Sequence, residues 1–143
     1  MTRKDKYAQK HPSDRKINQD LADTVKGRAT NEEIPCAVAF DIVSDLKVPP
    51  IEVGFTIDAL EIKVVKCQLG LFGYRPQKMK VKPADNVSST LEETIRKELV
   101  NNKLPCKAAW EIAEKSGLRK MEVSSACEAL KIKISSCQLG TFR

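Results

Sequence analysis

Histidine and aromatic residues are scarce in this chain of 143 residues: His11 is the one histidine, and aromatic side chains make up 5%. Imidazole is the side chain whose ordinary titration falls near neutral pH, so a triad or a histidine-ligated metal has nothing to draw on within the apolar segments. No glycine-rich loop suited to cradling a phosphate is present. The acid pairs Asp41 with Glu111 and Asp58 with Glu128 stand where helices ordinarily carry solvated charge. An enzyme is therefore not expected. No apolar run approaches the roughly 20 residues that cross a bilayer. The opening stretch MTRKDKYAQKHPSDRKINQD has no apolar core of a secretory leader. The sequence predicts a cytoplasmic location and no membrane partner. There the five cysteines stay reduced, which sets a disulfide framework aside.

The charge excess is uneven. Six basic and three acidic groups lie in residues 1–20 (+3), five and eight in 21–74 (−3), four and none in 75–83 (+4), and ten and eight in 84–143 (+2). Most of the net +6 thus sits in a tail and a linker. Such segments either hold polyanions electrostatically or are solvated tethers.

What dominates the chain is a repeat. Residues 34–73, IPCAVAFDIVSDLKVPPIEVGFTIDALEIKVVKCQLGLFG, align without a gap with residues 104–143, LPCKAAWEIAEKSGLRKMEVSSACEALKIKISSCQLGTFR, at an offset of 70. Fifteen of the forty positions are identical. Two copies at so long a period indicate duplicated domains rather than a solenoid. The boundaries expected are a basic tail at 1–20, a first repeat at 21–74, a basic linker at 75–88 and a second repeat at 89–143. Each repeat is a minimal domain, of a size that buries only about 60% of its unfolded surface, so some mutual or external support is expected.

The periodicities predict three helices and a strand in each copy. Leu91, Ile95 and Leu99 recur every four residues, behind Ser89 with Glu92 or Thr90 with Glu93 as a capping box, and Leu21 and Val25 are the first-copy counterparts. Pro35 and Pro105 suit the first turn of a second helix, with Ala39, Ile42, Val43 and Leu46, or Ala109, Ile112 and Ala113, on its inner stripe. Phe40 and Trp110 read as core aromatics. A third helix carries Val53, Ile57 and Leu60, or Val123, Cys127 and Leu130. The period then falls to two at Ile62 and Val64, or Ile132 and Ile134, a short strand that ends in the CQLG turn. The fold class expected is mainly α with short β (α+β), in two tandem modules of three helices plus a short strand.

The second copy also carries Ala113, Gly117 four residues later, the apolar Leu118 right after it, and Val123 in the following helix. That spacing resembles the helix-turn-helix superfamily, including its winged-helix variant. The resemblance covers about 100 of the 143 residues and implies DNA binding or transcription regulation, of a prokaryotic, bacterial type. Gly117 suits a left-handed turn position. The first copy has Lys47 there, followed by Pro49 and Pro50, which predicts a variant turn.

If the third helix reads double-stranded DNA, its exposed face must offer donors. In the second copy that face is expected to be Arg119, Lys120, Ser124, Ser125, Glu128 and Lys131, with Lys133 beyond it. In the first the same positions hold Pro49, Pro50, Gly54, Phe55, Asp58 and Glu61, without a cation. Gly54, Phe55 and Asp58 are accordingly expected to form a protein interface, for self-association or another partner.

Four cysteines match across the repeat: Cys36 with Cys106 and Cys67 with Cys137. Cys127 replaces Ile57 and belongs to the core. The four matched thiols read either as small core hydrophobes or as ligands of zinc or an iron-sulfur cluster, though no CxxC occurs. In the CQLG turn, Gly70 and Gly140 permit a tight turn or close backbone approach, and Gln68 and Gln138 can bond nearby backbone. Three readings stay open: a DNA-binding regulator, a protein-interaction or assembly module without DNA binding, and a cysteine-based metal or redox sensor.

Overall fold

The computed structural model describes residues 17–75 and 79–142. His11, the rest of the basic tail up to residue 16, linker residues 76–78 and Arg143 lie outside the described residues. The fold is mainly helical with short strands, and two compact units divide it.

In the first unit, α1 (Gln19–Arg28) starts where Asn18 Oδ1 accepts the Leu21 N–H at 3.1 Å, and it closes with Lys26 and Arg28 in its last turn, where cations favour the helix dipole. It buries Leu21, Ala22 and Val25. Strand β1 (Glu33–Pro35) leads into α2 (Cys36–Leu46), which buries Cys36, Ala39 and Ile42. Helix α3 (Pro50–Ala59) begins on a proline, whose missing N–H costs nothing in the first turn. Strand β2 (Lys63–Val65) then returns beside β1 in parallel, in the register Glu33↔Lys63, Ile34↔Val64, Pro35↔Val65.

The second unit repeats the order. Its α4 (Ser89–Lys97) is capped by Ser88 Oγ, which accepts the Leu91 N–H at 3.1 Å. The cap is thus one residue ahead of the expected Ser89. Then come β3 (Leu104–Pro105), α5 (Cys106–Ser116), α6 (Lys120–Ala129) and β4 (Ile134–Ser135), with β3 parallel to β4. The strands before α2 and α5 were not expected, and their pairing is parallel because two helices intervene. Among the described residues no antiparallel hairpin stands where a wing would be; isolated antiparallel bridges join Thr30 to Glu33 and Val100 to Lys103.

The backbone keeps the repeat even where the residues change. Positive φ recurs at the offset of 70 in Asn31 and Asn101, Glu32 and Asn102, Glu61 and Lys131, Lys66 and Ser136, and Gly70 and Gly140. It also recurs at the turn between the paired helices, which corrects the variant turn expected of the first copy. Lys47 adopts φ 53° and ψ 48°, close to Gly117 at 67° and 28°. The same six-residue closure follows each, Val48 N–H to Val43 O at 3.3 Å and Leu118 N–H to Ala113 O at 2.9 Å. Packing imposes on a lysine a conformation that glycine takes freely, at a cost of roughly 1 kcal/mol.

Unit boundaries differ from those expected. The first unit ends at Cys67 and takes in Leu139–Thr141, and the second runs from Gln68 to Gln138. In the first unit the Leu139 backbone lies directly on Gly54, where any Cβ would overlap its carbonyl oxygen. Gly140 sits on Ile51: a Cβ there would stand 2.9 Å from Ile51 Cδ1. In the second unit Gly70 lies against Met121, the residue that matches Ile51, with Met121 Sδ 3.2 Å from a Cβ placed at Gly70. The linker goes with the second unit because Lys80 and Val81 donate N–H bonds to Gly70 O (2.8 and 3.1 Å) and Ala84 donates to Ser125 O (3.0 Å).

Two substitutions test these contacts by urea denaturation. Gly54→Ala is expected to lose about 2 to 4 kcal/mol, since the Leu139 backbone must retreat. Lys47→Gly is expected to gain roughly 1 kcal/mol by releasing the left-handed lysine, and a loss would mean that Lys47 makes contacts outweighing its backbone strain.

Candidate nucleic-acid interface

The second unit holds the side chains that best suit a polyanion. Helix α5 ends at Gly117, and Arg119 caps α6 in an extended conformation, so the α6 amino end points its unbonded N–H groups outward. The Arg119 side chain is 86% exposed, and its Nε donates to Glu122 Oε1 at 2.8 Å. An ion pair so exposed contributes little and yields readily to a phosphate. Lys120 Nζ stands 4.6 Å from the centre of the Trp110 ring, which steadies the ammonium beside the α6 amino end.

Beside that end lies a cavity of about 720 Å³, wholly within the second unit. Its apolar lining includes Val81, Leu91, Leu118 and Met121, and its cations are Lys80, Lys82 and Arg119. Lys80 Nζ also lies 5.5 Å over the Tyr74 ring. The two linker lysines arrive there because residues 80–84 are hydrogen-bonded to Gly70 and Ser125. The +4 charge of residues 75–83 is plain in the sequence, yet charge alone did not join it to the third helix. The signal available was Val81, one apolar residue between two lysines, which is buried.

The other residues expected to face DNA divide. Ser124 is 0% exposed and its hydroxyl has no hydrogen-bond partner among the described residues, so it cannot reach a nucleic acid. That corrects the expected face: α6 buries Val123, Ser124, Ala126 and Cys127, a wider stripe than the single row assumed. Ser125 is half-buried, with its carbonyl held by Ala84. Lys131 and Lys133 are exposed, but they follow the carboxyl end of α6, roughly 15 Å along the axis from Arg119.

The expected interface on the first repeat is also corrected. Gly54 is buried, Phe55 is 3% exposed and Asp58 is 7% exposed. Six successive residues of α3, Val53 to Asp58, are buried, and the Leu139 backbone covers Gly54 among them, on a side that a free three-helix module would leave open. Asp58 is thus not the solvated acid expected of it.

Cys36, Cys67 and Cys106 are buried, Cys137 is half-buried, and no disulfide links any cysteine. Gln138 Nε2 lies 3.8 Å from Cys106 Sγ as a donor, so this glutamine reaches a thiol rather than the backbone group expected. Among the described residues, no three His, Cys, Asp or Glu side chains are grouped to hold a metal ion. Gly70 and Gly140 have φ of 76° and 81°, the left-handed region that favours glycine. Gln68 is half-buried beside Gly70.

No family model matches the chain, and no curated protein or solved structure matches it either.

Burial, followed by repulsion from Glu128, pushes the Cys127 thiol up to about 11 from 9.0. Between those values the unfolded chain ionises its thiol while the folded chain keeps the proton, so unfolding releases a proton and stability falls as pH rises from about 9 to about 11. The slope expected is at most about 1.4 kcal/mol per pH unit. Cys127→Ala should flatten it in chemical denaturation across that window, and an unchanged slope would assign the loss to other groups.

Proposed function

We propose that the chain is a DNA-binding regulator of helix-turn-helix type in which the second unit makes the phosphate contacts. The observation that carries this reading is the convergence of Lys80, Lys82 and Arg119 on one cavity at the amino end of α6, from segments far apart in the sequence. Helix N–H groups, lysines on a hydrogen-bonded strap and an arginine paired with an exposed glutamate together suit a phosphate backbone. Lys120 adds a fourth positive charge one residue on.

With Ser124 buried, the donors left to read base edges from α6 are Arg119, Lys120 and Ser125. Phosphate contacts then outweigh base contacts, which supports tight dependence on salt and modest sequence selectivity. The first unit contributes no cation at the matching helix start, where Pro49, Pro50 and Glu52 stand.

The test is fluorescence anisotropy with a labelled duplex of about two helical turns over a salt series. Removing one cation from a phosphate lowers the slope of log K against log salt by about 0.9. Arg119→Glu with Lys120→Glu, and separately Lys80→Glu with Lys82→Glu, are each expected to reduce the slope by about 2. Glu52→Lys in the first unit is expected to leave it unchanged. Affinity and slope unaltered in both double variants would overturn the reading.

A further inference from the structure

The cavity of the second unit offers more than a phosphate backbone uses. At about 720 Å³ it falls within the roughly 300 to 1,000 Å³ that small-molecule sites occupy. Four pieces of the unit wall it: the strap of residues 80–84, the amino end of α4, the turn between α5 and α6, and α6 itself. Each brings an apolar side chain, in that order Val81, Leu91, Leu118 and Met121. Val81 is buried, whereas the other three are half-buried and keep apolar surface in contact with water. Phosphates held at the cations would leave that surface wet.

The lining also carries an excess of positive charge once its pairs are counted. Arg119 and Glu122 answer each other at 2.8 Å, and Glu122 is the one acid among the described residues that line the cavity. Lys80 and Lys82 remain uncompensated. Lys80 Nζ lies over the Tyr74 ring, a contact that leaves its charge in place. Lys82 is exposed, and Asp85 beyond it is not part of the lining. We propose that this cavity binds a small amphipathic anion, an apolar body carrying a carboxylate or phosphate head. The body covers Leu91, Leu118 and Met121, and the head pairs with Lys82 and Lys80. A neutral apolar molecule leaves the lysines unanswered and a bare phosphate leaves the apolar walls wet, so both parts are needed. The ligand's role as an effector rests on the DNA-binding reading above, because its head takes cations that a DNA phosphate would take.

The probe is 2-naphthyl phosphate, with 2-naphthoate beside it to separate the two head groups, titrated calorimetrically into the full-length protein without DNA. Saturable binding of at least one of them is expected, and binding about tenfold weaker or less for 2-naphthol, which lacks the charge, and for inorganic phosphate, which lacks the rings. Lys82→Glu, at an exposed position that the fold does not need, and Leu118→Asp are each expected to weaken binding about tenfold or more. Lys103→Glu, the same change of charge at an exposed lysine outside the cavity, is expected to leave it as it is. No saturable binding, 2-naphthol or inorganic phosphate bound as tightly as the anions, or indifference to Lys82→Glu would overturn the proposal. With a labelled duplex bound, the saturating naphthyl anion is expected to weaken DNA affinity about tenfold beyond inorganic phosphate at equal ionic strength, and DNA held unchanged would overturn the effector role. A chain that takes up the naphthyl anion but no DNA overturns the regulator reading and leaves the cavity's ligand standing, so the two fail separately.

Discussion

The contact on which the first unit depends is the seating of Leu139 and Gly140 upon α3. Modules of this size bury too little surface to be secure alone, and here a piece from the far end of the sequence completes the core. Leu139 is as fully buried as Ile34 or Ile57. The approach is so close that position 54 must be glycine, because a Cβ would overlap the Leu139 carbonyl. Leu69, the matching leucine of the first CQLG turn, is equally buried and belongs to the second unit. The recurring turn thus ties the two repeats into two units that neither repeat forms from its own residues alone.

That interlock explains which parts of the molecule were legible in the sequence. Helices show through their four-residue spacing: Leu21, Val25 and Ile95 are inside as the pattern requires, and Ala39, Ile42, Ala109 and Ile112 line the inner faces of α2 and α5. The short parallel strands did not show, since two or three residues including a proline give no alternation to read. Nor did the caps fall quite where a motif places them. Asn18 and Ser88 cap through a single side-chain oxygen each, without the reciprocal glutamate of a full capping box.

The misreadings of Gly54, Phe55, Asp58 and Ser124 share one cause. Helical periodicity assigns one buried stripe to a helix packed on one side, whereas α3 is covered on two. Long-range coverage leaves no periodic trace in α3 itself. Its trace lies in residue size, and Gly54 with Ser124 are small at equivalent positions. Lys47 shows the converse. A residue type argued for a different turn, yet the backbone follows its repeat partner Gly117, because burial of the flanking helices outweighs a local penalty of roughly 1 kcal/mol.

One backbone therefore carries two different sets of surface side chains, and in the second unit the strap is part of the difference. Where residues 80–84 lie along α6, they cover an apolar groove and deliver Lys80 and Lys82 to a helix end that already presents Arg119. Covering and charging are a single event there, since one short segment supplies both the buried Val81 and the two ammonium groups. In the first unit the matching positions are leucine, valine and isoleucine, with Glu52 nearby and Asp45 paired to Arg28. Divergence after duplication has in this way left the shared helices and turns in place while the charged residues set on them changed, from Pro49, Pro50 and Glu52 in one copy to Arg119, Lys120 and Glu122 in the other.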